Sequence, residues 1–202
     1  WFIEDSKKQL KTGVGISDAE IKQVQQRLQN ATATVASHES LNSNMLLLAE
    51  LLQNSATIHF DDAYIEMARM ISQDTYTIAS NNQLTQMVIT DPKHTVISYY
   101  NHASNNSVWL NGDGKYKTES KGNIRTTTIP DDIRALTKID IKSKNVFFSN
   151  FNKNLTMVIK KDIQEIGSEN INLGYVFALV NLDESFANQV AELSNTKINF
   201  YT

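Results

Sequence analysis

The side chains best suited to chemistry in this sequence are aromatic, amide and basic groups at the end of a predicted strand and in the polar segment after it. They are Tyr99, Tyr100, Asn101, His102, Trp109 and Arg125. Aromatic rings supply shape and apolar contact to a ligand, and the planar guanidinium of Arg offers a fork of donors to a carboxylate or phosphate. The group predicts a ligand pocket, although each residue taken singly could equally pack in the core or lie on the surface.

A second group lies on later predicted strands, where the floor of such a pocket would be. It contains Phe147 and Lys160, together with Ser149 and Met157. Successive side chains of a strand point to opposite faces, so about half of this group would face the pocket. The sequence leaves open which half. Phe147 and Lys160 complete the predicted ligand-binding set.

Patterns for catalysis and for metal binding are missing from the sequence. There is no G-x-S-x-G, H-E-x-x-H, P-loop or G-x-G-x-x-G motif, and the four histidines do not have metal-ligand spacing. The stretch Asn111-Gly-Asp-Gly114 lacks the alternating ligands and the terminal Glu of a calcium-binding EF-hand loop. We therefore expect neither an enzyme nor a metal or other cofactor.

Composition excludes several classes of protein. The chain of 202 residues is 41% hydrophobic, which is enough for a core in one domain or two small ones. It has no cysteine, which excludes a disulfide scaffold and a thiol nucleophile. The net charge is −3 and the basic residues are dispersed, so we do not expect a nucleic-acid partner.

The first residues, Trp1-Phe2-Ile3, precede the charged pair Glu4-Asp5. Aromatic residues before the first charges are typical of the interfacial end of a membrane-spanning helix, although an ordinary apolar N-terminus reads the same way. No apolar run approaches the roughly 20 residues of a span. We expect residues 1–16 to be a membrane-proximal leader, with the membrane spans outside this chain.

Two helical segments are predicted before residue 81. Ser17-Asp-Ala-Glu20 has the spacing of a capping box at a helix start. Apolar or small residues then recur at helical spacing, with a slip in phase near His38, at Ile21, Val24, Leu28, Ala31, Val35, Leu41, Met45, Leu48 and Leu52. A continuous helix over residues 17–54 would be about 55 Å long. A second helix starts at Asp61 or Asp62.

His38 allows two interpretations. It is either a partly exposed histidine on the helix or a pH-sensitive point in a transmission element, since its charge changes in the physiological range.

The rest of the chain reads as strands around a long loop. Extended runs over residues 84–91 and 95–100 are joined by Asp91-Pro-Lys-His94, where Pro92 fixes φ and the Asp91 side chain can bond the backbone two residues on. Residues 101–132 predict a loop with a short helix near 131–136. Strands follow at 145–151, 155–163 and 173–182, then a helix from Asp183 and a strand from Lys197. This order predicts an α+β fold with an antiparallel sheet of five or six strands.

Two segments resemble the extracytoplasmic PAS-like, or Cache, sensor domains of bacterial receptors. One is Met87-Val-Ile-Thr-Asp91 with Thr95-Val-Ile-Ser98, similar to the strand, tight turn and strand of that family. The other runs from Leu173 to Leu193 and resembles its closing strand, Leu-Asp cap and helix. Both are loosely similar to the tandem sensor of autoinducer-2 receptor kinases. The turn has His94 where the family commonly has Gly, and His is one of the residues that tolerate positive φ.

The resemblance implies a periplasmic or extracellular sensor domain of a bacterial inner-membrane receptor. Residues 17–80 would form the helices and residues 81–202 the PAS-like domain, which could be the first of two. The parent would be a histidine kinase, or else a diguanylate cyclase or chemoreceptor. An unidentified small molecule would bind the pocket and signal through the long helix, which would also form a homodimer. The alternative is that the domain reads a periplasmic binding protein; a secreted structural or adhesive domain is a third possibility.

Overall fold

A computed structural model describes residues 2–54, 62–112, 115–120, 122–139, 146–151, 154–168 and 171–194. The helices are α1 (Phe2–Ser37), α2 (Glu39–Asn54), α3 (Asp62–Asn81), α4 (Asp131–Thr137) and α5 (Glu184–Ser194). The strands are β1 (Gln86–Thr90), β2 (Val96–Asn101), β3 (Asn106–Gly112), β4 (Lys115–Ser120), β5 (Asn123–Thr127), β6 (Phe147–Phe151), β7 (Asn154–Gln164) and β8 (Asn172–Asn181).

All eight strands belong to one sheet, and each neighbouring pair is antiparallel. The strand order is β5-β4-β3-β2-β1-β8-β7-β6. The α+β class and the antiparallel sheet are therefore confirmed. The expected count of five or six strands is wrong, because β3, β4 and β5 occupy most of the segment that was expected to be a loop. The strand predicted from Lys197 lies outside the described residues.

The missed strands lie toward one edge of the sheet, and of the three only β3 has a buried apolar run, at Val108, Trp109 and Leu110. β5 is exposed along almost its whole length, and polar residues alternate weakly through β3 and β4. An edge strand needs only one hydrogen-bonded neighbour and can keep polar side chains on both faces. Such a strand is held in the sheet by hydrogen bonds to the one strand beside it.

The N-terminal helical region differs from the prediction in two places. α1 already begins at Phe2, so Ser17 and Glu20 lie inside a helix and do not mark its start. The helix is also interrupted at His38, where α1 ends and α2 begins. The Nδ1 atom of His38 accepts a hydrogen bond from the backbone N–H of Leu41 at 3.3 Å, which caps the first turn of α2. No helix in the described residues is both long and apolar enough to cross a membrane.

Helices α1, α2 and α3 cover one face of the sheet, which we call the helix-layer face. α3 packs on β1, β2 and β3, and α1 packs on β7 and β8 and on α5. The seam residues Val24, Leu28, Ala31 and Val35 are all buried, which accounts for their helical spacing. Asn42 ties α2 to the hairpin of β7 and β8, because its amide donates to the carbonyl oxygen of Gln164 at 2.7 Å and accepts from the N–H of Ile166 at 3.2 Å.

The β1–β2 hairpin forms where the sequence predicts it. Asp91 Oδ1 accepts the backbone N–H of Thr95 at 2.7 Å, so its side chain closes the turn four residues on instead of two. His94 has a φ of 65°, as its place in the turn requires. The register shifts between Ile89 and Thr90, which leaves Ile97 as the extra residue of a bulge.

Gly174, near the start of β8, lies against the backbone of Thr90 in β1. Its φ is +148°, and an added Cβ would collide with the carbonyl oxygen of Thr90 and lie 3.0 Å from the Met45 side chain. Both backbone conformation and space therefore require glycine at this position.

We expect Gly174→Ala to destabilise the protein by about 3 kcal/mol or more, because the strain and the overlap with backbone add. Gly122→Ala is the matched control: φ is +76° there, but no atom lies within 4 Å of the added Cβ, so only the strain of roughly 1–2 kcal/mol remains. Urea denaturation of both variants measures the difference. Equal losses would show that the contact with Thr90 does not constrain the strand.

Candidate ligand-binding site

The face of the sheet opposite the helix layer carries α4, and we call it the α4-side face. The strand registers place a continuous row of side chains across this face, each directly beside the next on a neighbouring strand. The row reads Arg125, Thr118, Val108, Tyr99, Val88, Phe177 and Lys160. Neighbouring strands are about 4.8 Å apart, so Tyr99 and Lys160 begin about 14 Å apart and frame the middle of the sheet.

Lys160 is the most unusual residue of this row. It is only 6% exposed, although lysine is almost never fully buried without a partner. Its ammonium nitrogen lies 4.2 Å from the centroid of the Tyr175 ring and 5.5 Å from that of Phe177. Within the described part of the chain, no carboxylate lies within ion-pair distance of it. The rings compensate the lost hydration only in part.

Two polar groups that have no partner among the described residues lie beside Tyr175, the ring that Lys160 contacts. Tyr175 stacks on His94 of the β1–β2 turn, with ring centroids 4.7 Å apart and planes 5° from parallel. His94 Nδ1 and Thr90 Oγ1 are buried and have no hydrogen-bond partner among the described residues. Beside His94, a cavity of about 280 Å³ opens between the turn, Tyr116 and α4. The cavity is lined by His94 and not by Lys160 or Tyr175. The lysine and the stacked rings form one end of the candidate site.

Tyr99 and α4 form the other end. Burial raises the pKa of Tyr99 to about 12, with a smaller contribution from the charge of Asp132 on α4 and an opposing hydrogen bond with Asn101. Asp132 Oδ1 accepts the N–H of Ile133 at 2.8 Å, while its Oδ2 is buried without a partner in the described residues. Considering the described residues alone, the α4-side face thus offers an unpaired cation at one end and a free carboxylate oxygen at the other.

The structure separates the eight residues predicted to bind ligand. Tyr99, Phe147 and Lys160 lie on the α4-side face, and Asn101 lies beside Tyr99. Arg125 is on the same face but exposed on edge strand β5, about 14 Å from Tyr99.

The other three predicted residues lie elsewhere. Tyr100 and Trp109 face the helix layer, where the Tyr100 ring packs edge-on against Tyr76 of α3. His102 is in the exposed turn after β2, with its Nδ1 3.2 Å from the Tyr100 hydroxyl.

Sequence reasoning did not select Thr90, His94, Asp132, Tyr175 or Phe177 for this site. Tyr175 and Phe177 are two residues apart on a predicted strand, so alternation places them on one face. That signal could have found them, given the pairing of β8 with β7. His94 and Asp132 join the site only through the tertiary fold. Among the described residues no cluster of three or more His, Asp or Glu side chains could hold a metal ion.

Comparison with known proteins gives distant structural neighbours. No protein-family model and no curated protein matches the chain. Solved structures of the Campylobacter jejuni chemoreceptor Tlp3 are similar. Its sensory domain is 16% identical, with 90% of this chain and 68% of that chain covered and a TM-score of 0.31. Its ligand-binding domain with L-valine is 16% identical, with 90% and 67% covered and a TM-score of 0.33. Likeness at these TM-scores assigns neither fold nor function to this chain.

The burial of Lys160 predicts that the side chain destabilises the unliganded protein. We expect Lys160→Met to raise the free energy of unfolding by about 1–3 kcal/mol, because methionine fills a similar volume without a charge to desolvate. Lys161→Met, one residue along on the helix-layer face, should change it by less than about 0.5 kcal/mol. Urea denaturation is the measurement. A loss of stability in Lys160→Met would show that the ammonium stabilises the fold where it lies.

The pKa of Tyr99 predicts a loss of stability in alkali. Between pH 10 and about 12 the folded protein keeps a phenol proton that the unfolded chain has released, so the free energy of unfolding falls as pH rises. Denaturation at a series of pH values should show this decline, and it should be shallower in Tyr99→Phe. If the free energy of unfolding fell equally steeply with pH in both proteins, groups other than Tyr99 would be responsible for the decline.

Proposed function

We propose that this chain is the extracytoplasmic sensor domain of a bacterial transmembrane receptor, and that it binds a small ligand on the α4-side face. The observation that carries the proposal is Lys160, a buried cation with no anionic partner in the described residues. Burying a charged group without a partner costs free energy, and functional sites accept this cost when a ligand supplies the missing partner. The domain itself is non-catalytic, and its residues orient and hold the ligand.

The side chains at the two ends of the site limit the chemical classes of ligand that would fit it. Lys160 favours an anionic group such as a carboxylate, which it would meet as a charge-assisted hydrogen bond. Asp132 Oδ2 favours a hydrogen-bond donor at the other end of the ligand. The half-buried ring of Tyr175 supplies apolar contact between them. A small organic anion that also carries a donor fits this arrangement best.

The resemblance of the β1–β2 hairpin and of the β8–α5 segment to PAS-like sensors supports the same proposal. Residues 81–202 would be the sensor domain, preceded by the helices of residues 17–80 and a membrane-proximal leader at 1–16. We propose a histidine kinase as the parent protein, with a diguanylate cyclase or chemoreceptor as the alternatives. Pairing of α1 with a second copy would form the signalling dimer.

Transmission would pass through β8 to the helix layer. Tyr175 and Phe177 of β8 face the site, while Val176 and Ala178 face α1 and α2. A ligand that changes the position of β8 therefore changes the surface on which α1 packs. Such a ligand shifts a population of conformations by as much as its affinities for them differ.

The alternative function is recognition of a periplasmic binding protein in place of a small molecule. Two exposed isoleucines at the tip of the β7–β8 hairpin favour it, since Ile166 is 52% and Ile171 46% exposed. They lie next to the hydrogen bond between Glu165 N–H and the Ile171 carbonyl oxygen. A partner docked there would contact the same hairpin that Asn42 ties to α2.

A melting-temperature screen against small organic anions tests the proposed function. We expect at least one compound to raise the melting temperature of the wild type and of Lys161→Met, because binding to the folded state stabilises it. The same compound should leave Lys160→Met unchanged.

A library without any such compound would contradict the proposal. If, in addition, a periplasmic binding protein co-purified with the wild type and not with a double variant Ile166→Ser/Ile171→Ser, the result would support the alternative. If the compound raised the melting temperature of Lys160→Met as much as that of the wild type, the ligand would not bind at Lys160.

A further inference from the structure

A second concave surface lies on the opposite side of the sheet from the candidate ligand-binding site. It is a cavity of about 680 Å³ between α3, the β2–β3 turn and strands β3 and β4, and we call it the α3 groove. It exists because the sheet extends beyond the helix layer: α3 covers β1 to β3, while β4 and β5 continue past it. Its volume lies in the range of small-molecule sites.

The charges in the α3 groove neutralise each other. Among the described residues that line it, the charged side chains are Arg69 and Glu119. The Arg69 Nη2 atom donates to Glu119 Oε2 at 2.8 Å, and Glu119 raises the pKa of Arg69 through this hydrogen bond and its charge. Glu66 adds a second carboxylate 3.7 Å from Arg69 Nη1. The groove therefore has no cation available for an anionic ligand, unlike the site at Lys160.

Uncharged polar groups make up most of the remaining wall, and several are held in place by the fold. Tyr76 donates its hydroxyl hydrogen to Asn105 Oδ1 at 3.1 Å, and Ser72 and Ser107 are joined by a hydrogen bond of 2.7 Å. Asn105 has a φ of 46°, so the turn itself is fixed in an uncommon conformation. Gln73 and Asn106 also line the groove and present planar amides.

Trp109 supplies an unsatisfied donor in this groove. It is 3% exposed, it lines the groove, and its indole N–H has no hydrogen-bond partner among the described residues. The Nε atom of Arg69 is also buried without a partner there. A buried donor left unpaired costs about 1–3 kcal/mol, so an acceptor brought by a ligand would be stabilising.

We propose that the α3 groove binds a neutral polyhydroxylated molecule, of the class of a monosaccharide. Planar amide, guanidinium and carboxylate groups match the paired donors and acceptors of adjacent hydroxyls, and the half-buried ring of Tyr76 matches the apolar face of a sugar ring. The internal pairing of Arg69 with Glu119 excludes selection for net charge. This site is independent of the sensor function proposed for the α4-side face.

Titration of the full chain with methyl β-D-galactoside and methyl α-D-glucoside, followed by two-dimensional ¹H–¹⁵N NMR, tests the proposal. We expect saturable shifts of the Trp109 indole N–H, assigned through Trp109→Phe, for at least one of the two sugars. Gln73→Ala should weaken the binding by roughly five- to tenfold, the equivalent of one neutral hydrogen bond. Asn188→Ala, which removes an exposed amide from α5, is the matched control and should bind as the wild type does.

Lys160→Met separates this inference from the proposed function. It should leave sugar binding unchanged, because Lys160 lies on the other face of the sheet. Loss of sugar binding in that variant, unchanged binding in Gln73→Ala, or no shift of the indole resonance with either sugar would each overturn the inference. Tighter binding of D-galacturonate than of the neutral galactoside would overturn it too, since the groove would then select charge.

Discussion

The fold depends on the pairing of β1 with β8. On one side of this pair the chain continues through strands β2 to β5, and on the other side through β7 and β6. The paired residues of β1 and β8 are about 90 positions apart in sequence. Loop closure over such a distance must be compensated by burial, and both strands are buried nearly throughout: Met87, Val88, Ile89, Phe177 and Leu179 have no exposed surface. The pairing also sets the position of Tyr175 beside Thr90, and with it the end of the candidate site that contains Lys160.

The sequence predicted those elements whose signals are local and strong. The hairpin at residues 84–100 could be predicted because Asp91 and Pro92 form a turn between two β-branched runs. Helix α4 could be predicted because a proline precedes two acidic residues, a pattern typical of a helix start. Strands β4 and β5 were not visible, because their pairing is decided by neighbouring strands and most of their side chains are polar. In β3 the apolar run Val108 to Leu110 is short and polar residues flank it. Ser17 and Glu20 have the spacing of a capping box inside a helix, where the backbone N–H groups that a cap would satisfy are already bonded.

Only part of the candidate site could be predicted, because its other part depends on how the strands pair. The chemistry of Lys160 and Tyr99 was visible in their residue types, but their shared face follows from a register that runs through three strand pairs. A shift of one residue in any of those pairs would have sent one of them to the helix layer, which is where Tyr100 and Trp109 lie. His94 and Asp132 belong to a turn and a short helix, whose approach to the sheet is a property of the whole fold.

The two faces of the sheet differ in whether their charged side chains are paired. Within the part of the chain that the structure describes, a cation on the α4-side face lies against aromatic rings with its charge unpaired, whereas both charged side chains that line the α3 groove have a partner of opposite sign. An unpaired charge is costly until a ligand completes it, so occupancy of the α4-side face should change the energy of β7 and β8 more than occupancy of a neutral groove can. β8 presents its other face to α1 and α2, which are separate helices on either side of His38. The side of the sheet with the uncompensated charge is therefore the side on which the proposed ligand would have the larger effect on the packing of the helices.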